Sequence, residues 1–290
     1  MSTEKNSSRG RQQGTSGKKS NATSFSKKTT GNFKKRPSKF SNKPESQPVQ
    51  KNENNGIRLN KYISNSGICS RREADVLIAA GSAMVNGKVI TEMGYKVQLT
   101  DEVRFEGSLI NPETKRYVLL NKPKNYITTM DDDRGRKTVM ELVQMATKER
   151  IYPVGRLDRN TTGLLLFTND GELAKKLTHP KHNVRKLYHA SLERKFALKD
   201  LQTLSSGDFS VEGKKVFIDD VAYVQGESKS EVGIEIHSGR NRIVRKIFAT
   251  LGYKVVKLDR VIFAGMTKKN IQRGHWRHLT DQEVNNLKML

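Results

Sequence analysis

The chain has 290 residues, and 54 Lys and Arg side chains against 30 Asp and Glu give it a net charge of +24. A charge of this size favours a polyanionic partner, most often nucleic acid, although a cationic surface kept for solubility is the alternative. The single cysteine excludes an internal disulfide framework, no metal-ligand spacing stands out, and no apolar run approaches the ~18–20 residues of a membrane span, so we expect a cytoplasmic protein with no membrane partner.

The N-terminal segment, residues 1–55, is rich in Ser, Asn, Gln, Gly and Lys and has almost no aliphatic side chains. Such a segment cannot bury enough apolar surface to offset chain entropy, which predicts a disordered basic tail. Phe25, Phe33 and Phe40 lie among the basic residues and could stack on bases. The tail is therefore either an RNA-contacting arm or a dispensable solubilising segment.

Residues 56–105 carry a series of local signals for a small folded domain. Residues 57–63 place apolar side chains on one helical face. Ser70 and Glu73 have the spacing of a capping box, which predicts the start of a second helix. The dipeptide Asn86-Gly87 supplies the two positive φ angles of a type I′ turn, so a hairpin is expected there.

This order of helix, loop, helix and hairpin resembles the small αL RNA-binding module first seen in a small-subunit ribosomal protein. The resemblance covers about residues 57–104. It implies that the RNA contacts of this domain are Arg58, Lys61, Arg71, Arg72 and Lys88. The alternative is a small helical packing domain with solvated charges.

The remainder of the chain changes from helical patterns to short apolar runs. Residues 106–115, with Gly107 and Pro112, are predicted to be a linker before a second domain at 116–290. Strands are predicted at 117–120, 151–154, 163–167, 186–192 and 232–237, and helices at 171–178, 198–204, 240–251 and after Thr280. Because these elements mix without regular βαβ spacing, we expect an α+β fold with a mainly antiparallel β-sheet flanked by helices.

One carboxylate in this second domain has an unusual setting. Asp158 lies between Arg156 and Arg159 at a turn, directly before the apolar run at 163–167. An adjacent Arg typically lowers the pKa of an Asp by about 1–3 units, so this carboxylate is expected to be ionised. A fixed, ionised Asp suits nucleophilic or base chemistry, whereas the alternative is a surface turn whose charges face water.

Two further blocks combine cations with predicted elements. The strand at 186–192 places Tyr188 among cationic residues. Residues 238–248 form a turn that runs into a predicted helix, on which Arg242, Arg245 and Lys246 are expected to share one face. Such a face can meet RNA phosphates and pair with a carboxylate, although a solvated face is the alternative.

Taken in order, these blocks resemble the motifs of the RNA pseudouridine synthases. The motif residues are GRLDRNTTGLLLFTNDG at 155–171, LLNKP at 119–123, KLY at 186–188 and GRNR at 239–242. With the preceding αL-type module, they are similar to the RsuA/RluB/RluE/RluF group of that superfamily.

The resemblance implies a role for each site residue. Asp158 would attack the target nucleotide so that the base-to-ribose C–N bond breaks, after which the uracil turns and rejoins through carbon. Tyr188 would stack on the target base and assist proton removal from C5, and Arg245 would pair with Asp158. The RNA-facing cations would be Arg156, Arg159, Arg240 and Arg242.

The same resemblance implies that neither a metal nor an organic cofactor is needed, because the reaction is an isomerisation. It implies ribosomal RNA as the partner, with large-subunit RNA favoured over small-subunit RNA or tRNA, and a monomeric protein. Two residues depart from the family pattern. Asn125 stands in place of Gly and can still adopt a left-handed turn, while Ile243 stands in place of Gln and removes a polar group.

Two other functions remain open at this point. One is a non-catalytic RNA-binding factor in ribosome assembly, which predicts loss of Asp158, Tyr188 or Arg245. The other is a hydrolase that uses Asp158 as nucleophile. A retaining glycosidase needs a second carboxylate ~5 Å away, and Asp170 is the nearby candidate, although its position before a helix also fits turn chemistry.

Overall fold

The structure is a computed structural model that describes residues 56–290. The predictions for residues 1–55, including the tail and its three phenylalanines, lie outside the described residues. Within the described part of the chain, no helix is long and apolar enough to cross a membrane.

The first domain contains two short helices and two small antiparallel sheets. Its helices are α1 (Leu59–Asn65) and α2 (Arg71–Ala79), and its strands are β1 (Ile57–Arg58), β2 (Ala83–Val85), β3 (Lys88–Val89), β4 (Lys96–Val97), β5 (Val103–Phe105) and β6 (Ser108–Leu109). One sheet has the order β3-β2-β5-β6, and β1 pairs with β4. The predicted capping box at Ser70 and Glu73 is present, and Asn86 and Gly87 have φ angles of 50° and 79°, as the predicted turn requires.

The first residues of the predicted linker 106–115 belong to the first domain instead. Glu106 and Gly107 have φ angles of 49° and 80°, so they form a second tight turn, and β6 pairs back onto β5. Ile110 is then buried with the apolar core of the first domain. The sequence did not reveal this hairpin because Glu is an unusual residue at a position that needs a positive φ.

The second part of the chain contains one large sheet with helices on its faces. Its strands are β7 (Tyr117–Lys122), β8 (Tyr152–Pro153), β9 (Thr162–Thr168), β10 (Lys186–Leu192), β11 (Phe209–Val211), β12 (Lys214–Val216), β13 (Asp220–Tyr223), β14 (Glu231–Ile236), β15 (Val255–Phe263), β16 (Met266–Thr267) and β17 (Trp276–His278). Its helices are α3 (Val139–Val143), α4 (Gly171–Thr178), α5 (Leu198–Ser205), α6 (Ile243–Thr250) and α7 (Asp281–Met289), with a 3-10 turn at Pro180–His182.

The large sheet has nine strands, and its main path is β13-β14-β10-β15-β9-β7-β17. Its strand pairs are antiparallel except for β9 with β15, which are parallel. The predicted α+β class with a mainly antiparallel sheet is therefore confirmed. Strands β7 and β9 are apolar on both faces because α3 packs on one face and α4 and α7 on the other.

The parallel contact between β9 and β15 depends on a glycine. Gly163 has a φ of +105°, and a Cβ at this position would overlap the backbone N and O of Arg260 on β15. Only glycine permits such an approach of two backbones. The contact fixes the start of β9, and with it the Asp158 turn, beside β15.

Candidate active site

Asp158 and Tyr188 line the same cavity, which has a volume of about 190 Å³. The loop before β9 supplies Asp158, β10 supplies Tyr188, and the turn before α6 supplies Arg240 and Arg242. The apolar part of the wall consists of Val154, Leu157, Leu177, Ile243, Val244, Leu258 and Phe263. Three blocks that lie far apart in the sequence therefore meet at one concave, partly apolar site, which is the usual form of a ligand pocket.

The loop that carries Asp158 is held by hydrogen bonds to its backbone. The Thr128 hydroxyl donates to the carbonyl of Leu157 at 2.8 Å, and the Leu157 amide donates to the Thr128 hydroxyl oxygen at 3.2 Å. Leu157 is buried, whereas the Asp158 side chain is 39% exposed. The loop therefore anchors one residue in the core and presents the next one to the cavity.

A second attachment involves one of the two departures from the family pattern. Asn125 has a φ of 72°, so it keeps the left-handed conformation that Gly would adopt. Its amide donates to the carbonyl of Arg159 at 2.9 Å. The expectation that Asn preserves the backbone at this position is confirmed.

The strongest attachment of the loop comes from a buried lysine. Lys122, at the end of β7, is fully buried. Its Nζ donates to the carbonyls of Asp158 at 3.1 Å and Thr161 at 2.9 Å, and also to that of Pro123 at 3.1 Å. The ammonium group thus joins both ends of the turn that contains Asp158.

The charge of Lys122 is strongly perturbed in this position. Burial lowers the pKa of Lys122 to about 8, the Asp158 carboxylate opposes the shift, and Arg273 adds to it. No role was predicted for Lys122 from the sequence. The available signal was a lysine at the end of an apolar strand, directly before a proline.

The cation closest to the Asp158 carboxylate is Arg242. Its Nε lies 3.8 Å from Oδ2 of Asp158, and its side chain is 59% exposed. Helix α6 begins at Ile243 rather than at 240 as predicted, and Arg242 precedes it in a left-handed conformation with a φ of 51°. Arg242 therefore belongs to the turn and not to the helical face that we predicted for it.

The expected direct pair between Arg245 and Asp158 is not formed within 4 Å in the described structure. Instead, Nη1 of Arg245 donates to the carbonyl of Val255 at 2.8 Å. Burial lowers the pKa of Arg245, while the Asp158 charge raises it and Arg242 lowers it further. Arg245 therefore lies within the electrostatic field of Asp158, and its catalytic role stays a prediction.

Tyr188 occupies the centre of the large sheet, where β10 lies between β14 and β15. On the adjacent strand β15 it is paired with Arg260, a buried residue that also lines the cavity. The Arg260 guanidinium lies 4.5 Å from the centroid of the Phe263 ring, and its Nε donates to the carbonyl of Leu164 at 2.8 Å. Arg260 was missed because β15 was not predicted from the sequence.

Lys186 is a half-buried cation at the cavity. Its Nζ donates to the carbonyls of Val184 at 2.9 Å and His237 at 2.7 Å. Burial lowers the pKa of Lys186 to about 8, Arg260 adds to the shift, and Asp219 opposes it. These contacts join the start of β10 to the end of β14, so Lys186 supports the wall that carries Tyr188.

Arg240, predicted to contact RNA, has partners within the protein. Its guanidinium donates to the carbonyls of Lys215 at 3.4 Å and Val211 at 3.3 Å. A second link is the ion pair of Lys246 with Glu212, at 2.8 Å. The two contacts fasten the β11–β12 hairpin to the rim of the cavity.

The other predicted RNA contacts fall into two groups. Exposed side chains are found at Arg156, Arg159, Arg58, Arg71, Arg72 and Lys88. Lys61 instead forms an ion pair with Glu172 of α4.

Asp170 has a structural function and does not line the cavity that holds Asp158. It caps α4 by accepting a hydrogen bond from the Leu173 amide at 3.3 Å, and it also accepts one from the Tyr117 hydroxyl at 2.9 Å. The alternative of a two-carboxylate hydrolase therefore loses its candidate acid. In the described part of the chain, no group of three or more His, Cys, Asp and Glu could hold a metal ion.

Comparisons with known proteins give a consistent result. Residues 116–250 match the family model described as RNA pseudouridylate synthase, and residues 57–103 match the model of the S4 domain. The ribosomal large subunit pseudouridine synthase B of Bacillus subtilis (strain 168) is 40% identical over 235 residues, which cover 80% of this chain and 96% of that protein. An uncharacterized RNA pseudouridine synthase of Aquifex aeolicus (strain VF5) is 38% identical over 231 residues, covering 79% of this chain and 92% of the relative. A crystal structure of a pseudouridylate synthase aligns with a TM-score of 0.56 at 28% identity, over 80% of this chain and 99% of that one.

Proposed function

Because the chain belongs to the RNA pseudouridine synthases, we propose that it converts a uridine of large-subunit ribosomal RNA to pseudouridine, with Asp158 as the nucleophile. The observation that carries this proposal is the shared cavity, which brings the Asp158 carboxylate and the Tyr188 ring together from separate elements. The large-subunit target is supported by the name of the Bacillus subtilis relative.

The size and lining of the cavity suit a single base that has left its stack. A base inside a helix hides the atoms to be attacked, and its extrusion costs a few kcal/mol. Stacking on an aromatic ring recovers about 1–3 kcal/mol per base, which Tyr188 can supply. The apolar side chains of Leu157, Ile243 and Leu258 in the cavity wall help to exclude water from the bound base.

The proposed reaction uses only groups of the protein and the RNA. The Asp158 carboxylate attacks the target nucleotide, and the C–N bond between N1 of the uracil and the ribose breaks. The uracil turns, its C5 bonds to C1′ of the ribose as the carboxylate is released from the nucleotide, and the C5 proton leaves with assistance from Tyr188. Atoms and electrons balance without a co-reactant, because N1 ends with the proton that C5 loses.

The surrounding cations have separate functions in this proposal. Arg242, at 3.8 Å, is the group that aims the exposed carboxylate, and Arg245 adds a positive field from behind it. Arg156 and Arg159 contact the phosphates of the flipped nucleotide and its neighbours. Lys122 positions the loop without contacting the substrate.

The first domain contributes affinity rather than chemistry. Arg71 and Arg72 begin helix α2 and are exposed. Side chains and backbone amides at a helix start can both point at an RNA phosphate. Phosphate contacts of this kind hold the register of the RNA without reading its sequence.

The test is to incubate purified protein with an unmodified transcript of large-subunit rRNA and to map pseudouridines by chemical labelling and primer extension. We expect one modified uridine with the wild-type protein and none with Asp158→Asn, while filter binding shows unchanged RNA affinity for both. Asp170→Asn is the matched control, since Asn also caps helices, and it should keep its activity. Full activity of Asp158→Asn would contradict the proposed nucleophile.

A further inference from the structure

An exposed aromatic ring lies close to the proposed active site and has no role in the reaction described above. Phe217 follows β12 directly and is 57% exposed. It is the one aromatic residue among the exposed large hydrophobic side chains of residues 56–290. Its ring stacks on that of His237, with centroids 6.3 Å apart and planes inclined by 24°.

The His237 ring is held in a fixed orientation beneath Phe217. Its Nδ1 lies 2.8 Å from Oδ1 of Asp219, and its carbonyl accepts a hydrogen bond from Lys186 at 2.7 Å. His237 immediately precedes Ser238 and Gly239, which line the cavity. The two stacked rings therefore lie next to the cavity wall and are supported by groups already fixed in the fold.

A cationic group lies beside the Phe217 ring. Nζ of Lys215 lies 5.7 Å from the centroid of Phe217. The Lys215 side chain is 52% exposed, and its acidic neighbour Asp208 is 90% exposed at 3.4 Å. An exposed pair of this kind contributes little and can exchange for a phosphate. Arg240 ties the hairpin that carries Lys215 to the cavity rim.

We propose that Phe217, His237 and Lys215 form a stacking platform for the base of a nucleotide adjacent to the target uridine. This inference rests on the proposed function. When the target base leaves its stack, its neighbours lose a stacking partner. Phe217 replaces that partner from outside the cavity, and Lys215 binds the phosphate of the same nucleotide.

The chemistry of the platform favours RNA over a protein partner. Protein interfaces concentrate their affinity in apolar residues surrounded by further contacts that exclude water. Phe217 is instead a single ring beside the Lys215 ammonium group. An aromatic ring interleaved with cations is the arrangement that binds single-stranded nucleic acid.

The decisive experiment compares Phe217→Ala, Phe217→Trp and the control Leu198→Ala. Leu198 is 59% exposed, so its replacement removes a similar exposed apolar group away from the cavity. The substrate is a synthetic RNA hairpin that contains the uridine modified by the wild-type protein, made with or without an abasic nucleotide on either side of it. Melting temperatures of the three variants should match that of the wild type, since the residues are exposed.

We expect Phe217→Ala to lower kcat/KM about tenfold, while Phe217→Trp and Leu198→Ala retain the wild-type value. One of the two abasic substitutions should lower kcat/KM of the wild type by a similar factor and have no further effect on Phe217→Ala. Unchanged kcat/KM for Phe217→Ala would overturn the platform. So would a result in which each abasic substitution lowers kcat/KM of Phe217→Ala by the same factor as it lowers that of the wild type.

A binding measurement separates this inference from the proposed function. Binding to a single-stranded RNA of about twelve uridines should be weakened by Phe217→Ala and kept by Phe217→Trp, whether or not isomerisation occurs. If the wild type forms no pseudouridine but Phe217→Ala still loses affinity, the proposed function fails and the platform stands. If the wild type is active but both affinity and kcat/KM survive Phe217→Ala, only the platform fails.

Discussion

Replacement of Lys122 with Met would remove the ammonium group that joins both ends of the Asp158 turn. Met has a similar length and volume, so the apolar contacts of the side chain are largely kept. The carbonyls of Asp158 and Thr161, at 3.1 and 2.9 Å from Nζ, would lose this donor, although the Asp158 carbonyl keeps the hydrogen bond from the Thr161 amide at 3.0 Å. The loop would keep its contacts with Thr128 and the hydrogen bond from the Asn125 amide to the Arg159 carbonyl.

Two opposing contributions set the change in stability. Hydrogen bonds that involve a charged group contribute about 1.5–3 kcal/mol each. Against them, the fall in the pKa of Lys122 from 10.5 to about 8 corresponds to roughly 3 kcal/mol of unfavourable burial that Met would relieve. The free energy of unfolding should therefore fall by only about 1–3 kcal/mol.

The expected effect on catalysis is larger. A displacement of about 1 Å at a reacting group can cost about 100-fold in rate. We therefore expect Lys122→Met to lower kcat about 100-fold while KM changes little, since Arg242 and the RNA-facing cations of the first domain lie outside this loop. Pseudouridine formation under saturating RNA measures kcat, and urea unfolding measures stability.

Lys124→Met is the matched control, because Lys124 is exposed and lies two residues further along the chain. It should retain both kcat and the free energy of unfolding. A Lys122→Met protein with wild-type kcat would refute the positioning role. A loss that appears mainly in KM would refute it as well, because it would assign Lys122 to substrate binding.

Two further predictions concern the contact between β9 and β15. The Cβ of Gly163→Ala would overlap the backbone of Arg260, so this variant should lower the free energy of unfolding by at least about 3 kcal/mol. Gly239→Ala, whose Cβ would meet open space, should have a small effect, and thermal unfolding of both variants measures the difference. Burial raises the pKa of Asp259, but hydrogen bonds from Arg273 and its other partners lower it more, to about 2. Because this pKa is lowered on folding, Asp259 should add roughly 2 kcal/mol of stability that is present above pH 3.8 and lost as the pH falls through 2. Urea unfolding of the wild type and Asp259→Asn between pH 2 and 6 checks this, and a difference that does not shrink with falling pH would contradict it.

Local signals in the sequence were sufficient to predict the first domain and several strands. The capping box at Ser70 and the turn at Asn86-Gly87 involve residues a few positions apart, so their geometry follows from the residues themselves. The central strands β7 and β9 are apolar on both faces, which gives continuous runs in the sequence.

Other features depend on partners that are distant in the sequence. Strand β15 was not predicted because its charged residues interrupt the apolar pattern. In the structure, Arg260 of this strand bonds to the carbonyl of Leu164 and Asp259 pairs with Arg273, so tertiary contacts satisfy the charges. No local pattern shows that such partners exist.

In the candidate site, too, some features follow from local sequence and others depend on distant partners. The sequence motifs identified Asp158 and Tyr188, and both line the cavity. The position of the nearest cation could not be derived in this way, because it depends on whether Arg242 lies in the helix or in the turn before it. The attachment of the loop by Lys122 likewise depends on how β7 packs beside β9.

The most direct test of the central claim uses a strain that lacks this gene. Pseudouridines in its total RNA should be mapped and compared with those of the same strain carrying either the wild-type gene or the Asp158→Asn variant at equal protein levels. We predict that one uridine of large-subunit rRNA loses its modification in the deletion strain, regains it with the wild type and stays unmodified with Asp158→Asn. Restoration of that pseudouridine by Asp158→Asn, or an unchanged map in the deletion strain, would contradict the account.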